Sequence, residues 1–459
     1  MTLRADIEAA LSGILRGRPV ILVGRLPQTA ESQLPVLDRV GAGPFLRVSL
    51  RGGPGTNRTG MTTHVLLPGP ADPDFVIDVA RLEALLRDPP PTLRRVVSDF
   101  DPGETAVVIA SSHVDCDALL GRPRPGRRSE ASLALEDKTR VDHLWSGLDV
   151  PHCPHRVVPV ERAALVRAAN VVDQGHGTVW AGDNTLAVEG GALATRWVHD
   201  TASQEAAVSL LGPRCRTARV MPFLPGLPVS IHAWVLPRGV AVISPMEMVV
   251  LRHRESGAFR FCGVATTWHP DEATTHKIRS VARTVAHHLH GTGYRGALSI
   301  DGVITKEGFR PTEINARFPA GLSRLARHTD GLPLALLDML VRDGTPLDIS
   351  PARLQAVLRG VFERRPFTWL HTATPRAPSM PHSVPLHWTG QSFRRARTGE
   401  PASSSLLWEP AAAGGAVQLD VPAPPRGVTG ARLLTQAFQA AGPPLSTQMA
   451  GWRGARPPR

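Results

Sequence analysis

The sequence predicts a mixed protein, α/β in its first third and α+β beyond, and three observations predict it. Short apolar runs, one closed by glycine and one following an Asp-Pro-Gly turn, come after a helical pattern in the first 128 residues, the habit of an α/β unit. From about residue 170 to 270 the period shortens to two, the mark of strands with two distinct faces. Then an amphipathic stripe from about Asp271 to His290 separates those strands from a second strand pair.

At about 150 residues per domain, 459 residues suggest roughly three folding units. The composition shifts place them at 1–128, 129–345 and 346–459. Hydrophobic residues make up 42% and charged residues 20%, an ordinary globular balance. The net charge of +12 raises the question of nucleic acid, whose phosphates attract clustered Lys and Arg. Lysine occurs only at 138, 277 and 306, the arginines are scattered, and Tyr294 is the sole tyrosine, so no basic, aromatic platform can be read. Cys116, Cys153, Cys215 and Cys262 lack pair spacing, which suits a reducing compartment. Asp6 and Glu8 interrupt any signal-peptide core, and no stretch approaches the ~20 apolar residues of a membrane span. The expectation is a cytoplasmic protein without membrane or nucleic-acid partners.

In chain order, Pro19 to Gly24 and Thr105 to Ala110 read as buried strands. The glycine-rich stretch Arg51 to Gly60 lacks the Gly-Lys-Ser/Thr ending of a phosphate loop and reads as a surface loop. Gly121 to Arg128, rich in Pro, Gly and Arg, reads as a linker, after which Ser132 is placed to cap a helix carrying Val141, Leu144, Trp145 and Leu148. His152-Cys153-Pro154-His155 has ligand residues but no second pair at finger spacing, so a loop is expected there. Val229, Ile231, Ala233 and Val235 alternate with Ser230, His232 and Trp234, and Pro237-Arg238-Gly239 turns the chain back. His287, His288 and His290 end the amphipathic helix, where a cation suits the macrodipole. Beyond 346 only Thr429 to Ala441 gives a clear helical pattern.

The sharpest chemistry lies between Gly296 and Arg317. Two strand-like runs flank Lys306-Glu307-Gly308, which suits a three-residue hairpin loop ending in a left-handed glycine. If Thr305 pairs with Phe309, that register carried back sets Asp301 directly opposite Glu313, with Asn315 on the same face. Facing carboxylates repel, so a cation should sit between them. Two carboxylates and an amide oxygen make a hard oxygen site that fits Mg2+. Arg317, just past the strand, is placed to meet a transferring phosphoryl group. The competing reading is an exposed strand face with unrelated acids, since a four-residue loop would put Asp301 and Glu313 on opposite faces.

Glu313-Ile314-Asn315-Ala316-Arg317 resembles the Glu-Ile/Val-Asn-Pro-Arg signature of the ATP-grasp family, with Ala316 in the usual proline's place. Ser299-Ile300-Asp301 is similar to the strand that carries the family's aspartate. The resemblance covers roughly residues 130 to 345 and implies an ATP-grasp fold, with an N-terminal α/β pre-ATP-grasp domain and a C-terminal extension that covers the active site. It implies Asp301, Glu313 and Asn315 as magnesium ligands and Arg317 as an aid to phosphoryl transfer. By the same resemblance Asp137-Lys138 opens the first helix with Lys138 on nucleotide phosphates, and Val220 to Gly226 is the hinge. The Pro222 carbonyl would there accept from the adenine amino group and the Leu224 amide donate to its ring. Arg252, Glu247 and Trp268 fall on segments that run toward the substrate side, where Arg252 would hold a carboxylate.

Two departures stand out. Thr178 to Asp183 carries no lysine where the family usually has one before its glycine-rich loop, so Arg196, after Gly190-Gly191, is the substitute charge. The acid that often holds the ribose is missing too, with Pro228 near its place. The implied activity is an ATP- and Mg2+-dependent ligase that activates a small-molecule carboxylate as an acyl phosphate and joins it to an amine. The overall layout is similar to ATP-grasp peptide ligases of actinobacterial natural-product pathways, and that resemblance implies amino acids or peptides as substrates, with a homodimer left open. The second reading is a degenerate ATP-grasp protein that binds nucleotide or a partner without turnover; the third is an arginine-rich RNA-associated protein.

Overall fold

The computed structural model describes residues 2–53, 60–67, 69, 75–183, 192–411 and 414–458. Val20–Gly24 and Val107–Ala110 are neighbours in a four-stranded parallel sheet completed by Phe45–Ser49 and Met61–Val65. Such a sheet needs helices on both faces, which is why its central strands, Val20–Gly24 and Phe45–Ser49, are buried in every position. Ile7, Leu11 and Leu15 of helix Leu3–Leu15 pack with Val20 and Leu22 on one side. Leu82 and Leu86 of helix Phe75–Arg87 pack with Ile21 and Val23 on the other. The glycine-rich stretch read as a surface loop falls largely at 54–59, outside the described residues.

The segment 121–128 is not a linker. Arg122–Pro123 pairs with Ala118–Leu119, and Arg122, Arg124 and Arg128 are buried. Arg122 donates to the Asp101 carboxylate at 2.9 Å and to the Asp101 carbonyl at 2.5 Å. Composition misleads here because an arginine is buried once acids remote in sequence meet its planar head. Ser129, rather than Ser132, caps the next helix, Glu130–Leu135, accepting from the Ser132 amide at 3.2 Å. Val141–Gly147 is a separate helix, so Asp137-Lys138 lies in the turn between the two. Asp137 tightens that turn by accepting from the Thr139 amide at 2.8 Å and hydroxyl at 2.7 Å.

A second, antiparallel sheet runs in the order Arg156–Pro159, Thr217–Pro222, Thr178–Gly182, Thr195–Val198. Trp180, Ala218 and Val220 meet Leu165 and Ala169 of helix Arg162–Val172 and Ala207 and Leu211 of helix Thr201–Leu211. The opposite phase, Val179, Ala181 and Met221, is turned toward a cavity.

The third sheet has twelve antiparallel strands. Leu227–Leu236 alternates as expected, yet both of its faces are buried because it is central, paired along its length with Gly296–Thr305. Val229, Ile231, Ala233 and Val235 pack on Ile278, Ala282 and Val285 of helix Glu272–Gly291, which Asp271 caps by accepting from the Thr274 amide at 2.7 Å. The other face is left for Ser230, His232 and the acids of the hairpin.

Beyond Phe259–Ala265 the same sheet continues through Thr368–Thr374, Gly414–Asp420, Ser404–Ala411, His382–Trp388 and Phe393–Arg395. Helix Gly430–Ala441 covers this continuation with Leu433, Leu434, Ala437 and Phe438. The helix is fastened by Glu247 of strand Met246–His253, whose buried carboxylate accepts from the amides of Gly430 at 2.6 Å and Ala431 at 2.9 Å. Glu247 is therefore committed to a helix N-terminus rather than to a substrate, and burial pushes its carboxyl up to about 7. Replacing Glu247 with alanine strands two buried amides. The expected loss is about 2–4 kcal/mol of unfolding free energy, read by urea denaturation; an unchanged midpoint would show that the fastening contributes nothing.

Candidate active site

The hairpin brings its two acids together by a route that differs from the one expected. Thr305 pairs with Gly308, Ile304 with Phe309 and Gly302 with Pro311, so the loop has two residues, Lys306 and Glu307. Continued unchanged, that register would set Asp301 opposite Thr312 and turn Glu313 to the other face. Instead the ladder shifts between Gly302 and Asp301, Thr312 is the extra residue of a bulge, and Asp301 faces Glu313 with Ser299 facing Asn315. Gly302 is needed beside the bulge, since a Cβ there would lie 2.5 Å from the Arg310 carbonyl oxygen.

What holds the bulge is Arg219, a buried arginine of strand Thr217–Pro222 in the second sheet. Its Nη1 donates to the Thr312 carbonyl at 3.0 Å, while Nη2 and Nε reach the Asp142 carboxylate at 2.7 and 2.6 Å. Among the described residues, one group of side chains, Asp142, His152 and His155, offers ligand atoms within 4.8 Å of one another. Asp142 Oδ1 accepts from Arg219 and Oδ2 lies in ion-pair contact with its Nε, so a guanidinium already stands where a cation would go.

On the acid face, Asp301 accepts from Ser230 Oγ at 2.5 Å and from Asn315 Nδ2 at 2.8 Å. Asn315 also donates to Ser299 Oγ at 3.2 Å, which leaves its amide oxygen for a cation. Burial first and the opposing Glu313 second push Asp301 up to about 7. Burial would raise Glu313 as well, but Lys138 and then Arg317 outweigh it and hold its carboxyl below the usual range. Lys138 Nζ lies 3.3 Å from Glu313 Oε2. Arg317 is paired with Glu136, which also binds Arg128 at 3.0 Å, and Arg128 in turn is paired with Asp115. Sequence reasoning missed Ser230, Glu136, Asp142 and Arg219. Ser230 lay in the polar phase of an alternating strand, and Arg219 was a lone charge inside the apolar run Ala218 to Met221; both were signals that could have been read.

Between the second and third sheets lies a cavity of about 610 Å3, bordered by Lys138 and Glu313 as well as by Phe223, Leu224 and Arg252. Its apolar walls with a few converging polar groups are those of a small-molecule site. The Phe223 amide donates to the Gly177 carbonyl at 2.9 Å, so Pro222 and Thr178 form the neighbouring, unbonded pair of the ladder. The Pro222 carbonyl is therefore directed away from that partner strand. Arg252 is not beside the acids. Its guanidinium stacks 3.8 Å from the Trp197 ring and 4.5 Å from the Phe223 ring, and burial lowers its pKa. Arg196 does not border the cavity; it pairs with Trp180 on the helix-covered face and donates to the carbonyls of Leu193 at 3.0 Å and Thr195 at 2.8 Å. Among the described residues that border the cavity, Glu313 is the one acid, and Pro228 stands where a ribose acid was sought. Gly190-Gly191 lies outside the described residues.

No protein-family model matches the sequence, and no curated protein matches it. Solved structures do match its fold. A carboxyaminoimidazole ribonucleotide synthase from Aspergillus clavatus, complexed with ATP, is 13% identical over 88% of this chain and 94% of its own, with a TM-score of 0.52. A biotin carboxylase from Campylobacter jejuni is 11% identical over 95% of this chain and 92% of its own, also at 0.52. The biotin carboxylase domain of a Hydrogenobacter thermophilus 2-oxoglutarate carboxylase, in complex with MgADP and bicarbonate, covers 95% of this chain and 91% of its own at 11% identity and 0.52. The fold is the ATP-grasp fold.

The raised Asp301 pKa has a consequence for stability. A carboxyl that titrates higher in the folded than in the unfolded chain stabilises fully below its unfolded value of about 4, and that contribution is lost as pH rises through about 7. Asp301→Asn removes the charge. In EDTA at pH 8 the variant is expected to melt at a higher temperature than the parent; a lower midpoint would mean that the facing acids are already compensated.

Proposed function

We propose that this chain is an ATP- and Mg2+-dependent ligase that activates a carboxylate as an acyl phosphate and joins it to an amine. One observation carries the reading: Asp301 faces Glu313 across a buried antiparallel pair, with Asn315 beside them, at the edge of a cavity bounded by two sheets. An uncompensated carboxylate pair in that position is costly unless a cation joins it, and its all-oxygen donor set fits Mg2+. When bound, Mg2+ would neutralise charge on the nucleotide phosphates. The fold supports the reading, and structures that share it hold ATP or MgADP.

The chain's own residues then divide the work. The Pro222 carbonyl and Leu224 amide take the base at the hinge. Lys138, which rests against Glu313, turns to the phosphates when Glu313 is committed elsewhere. Arg317, oriented by Glu136, meets the transferring phosphoryl group. The substrate carboxylate attacks the γ-phosphorus, ADP leaves, and an acyl phosphate forms; the amine then attacks its carbonyl carbon and phosphate leaves. Positioning and electrostatics supply most of such a rate enhancement. Within this reading the acid and the amine are amino acids or peptides, the setting is the cytoplasm, and 129–345 is the catalytic unit between 1–128 and 346–459.

One observation favours nucleotide binding without turnover instead: strand Thr178–Gly182 turns Val179 and Ala181 to the cavity and offers no cation. Release of ADP from Mg·ATP with pooled carboxylates and amines separates the two, since binding without ADP for any pair would favour the inactive form. Glu313→Gln keeps shape and burial while removing a charge. It is expected to lower turnover by at least about 100-fold, with an unchanged far-UV circular dichroism spectrum; near-normal turnover would refute the role given to Glu313.

A further inference from the structure

Residues 453–458 reach the same cavity from far along the chain. Trp452–Gly454 is a short strand antiparallel to Met246–His253, with Trp452 opposite His253, Arg453 opposite Arg252 and Gly454 opposite Leu251. It occupies an edge that the sheet leaves open, because Leu227–Leu236 pairs with Met246–His253 only at Glu247 and Met246. The strand is firmly seated. Trp452 is buried, its ring 5.1 Å from that of His253, and the Arg260 guanidinium lies 4.0 Å over it. Gly454 sits so close to helix Gly430–Ala441 that a Cβ would come within 2.9 Å of the Ala431 Cβ. Two residues past this anchor, Arg456 stands on the cavity wall.

The cations of that wall are unequal. Arg219 is bound to Asp142, Lys138 rests on Glu313, Arg252 is stacked on aromatic rings, and Arg453 donates to the carbonyls of Ala450 at 2.5 Å and Trp452 at 3.1 Å. Arg456 forms no hydrogen bond or ion pair with any described residue, and its side chain is solvent-accessible. The cavity measures about 610 Å3 with this segment in place, within the range of small-ligand sites, so the segment is a wall and not a plug.

We propose that Arg456 binds the phosphates of the nucleotide, bringing from the far end of the fold the positive charge that strand Thr178–Gly182 does not supply. A guanidinium offers several donors in one plane and suits a phosphate held in the mouth of a cavity. The inference rests on the nucleotide reading given above, and one titration series tells the two apart. Full-length protein, Arg456→Gln and Arg456→Lys are titrated calorimetrically with the non-hydrolysable analogue Mg·AMP-PNP and, separately, with adenosine. Arg456→Gln is expected to weaken Mg·AMP-PNP about tenfold and Arg456→Lys to recover most of it, because each tenfold step reflects one partly desolvated charge contact. Adenosine affinity and the ligand-free melting temperature should not move, which a merely structural role would not allow. Unchanged or tighter Mg·AMP-PNP binding by Arg456→Gln overturns the inference while leaving the nucleotide reading intact. No binding by the parent protein overturns both.

Discussion

The single extra residue at Thr312 decides whether Asp301 and Glu313 share one face of their sheet. A two-residue loop sets a register in which Asp301 and Glu313 would point to opposite sides of their sheet, and the bulge restores them to one side. A bulge leaves backbone groups without ladder partners, so it persists only where something else satisfies them. Here the partner is Arg219, whose guanidinium joins the Thr312 carbonyl to Asp142. The Thr312 hydroxyl adds a bond to the Asp301 carbonyl at 3.2 Å. The buried Arg219–Asp142 pair thus ties the second sheet to the edge of the third at the point where the acids turn inward. Removing either member would leave the other charge buried alone, a much larger effect than the net worth of the pair.

Charge then organises what the bulge has aligned. The two acids are unequal because their surroundings are: Lys138 pairs with Glu313 alone, while Asp301 sits deeper, accepts from neutral donors at close range and feels Arg317 less than it feels its own burial. Such splitting lets one member of a facing pair stay ionised while the other titrates near neutrality. Arg317 is not free to wander, since Glu136, Arg128 and Asp115 continue the chain of pairs back toward the first sheet. Asp115 follows strand Val107–Ala110 by a few residues, so the parallel sheet and the acid hairpin share one electrostatic network. Lys138 differs in kind. It hangs from the turn that Asp137 closes, on a long stem with one flexible charge, which suits the exchange of a carboxylate for another anion proposed above.

The sequence disclosed what periodicity and local chemistry encode. Helix Glu272–Gly291 was legible from its stripe, and the strand around Val229 to Val235 from its alternation. The pairing of Asp301 with Glu313 was legible too, but on an incorrect loop: one residue too many at the turn offset one residue too few in the strand. Nothing local to the hairpin announces the bulge, because its partner Arg219 lies 93 residues away from Thr312. The same distance problem explains the misread segment 121–128, whose arginines look solvated until Asp101, Asp115 and Glu136 are brought to them. Beyond 346, strands rich in Pro, Ala and Ser have weak periodic signals. They become legible only as additions to an existing sheet, whose edge at Phe259–Ala265 recruits Thr368–Thr374.

On the proposed reading, relocation of charge would account for the chain's departure from the pattern that it resembles. Strand Thr178–Gly182 cannot easily carry a lysine into the cleft without losing Val179 or Ala181, the residues that turn that way. A cleft that accepts a polyanion, however, responds to the summed field of its walls rather than to one position, because Coulombic effects in a low-dielectric cavity extend over several ångströms. The cations bordering this cleft come from a turn, from strand Thr217–Pro222, from strand Met246–His253 and from the segment past Trp452, so no single strand need supply them. The position of each is set by a neighbour that is itself fixed: Asp137 for the turn, Asp142 for Arg219, Trp197 and Phe223 for Arg252, Trp452 for the last segment. A charge lost from one element can therefore be made good from another without moving the acids that it serves.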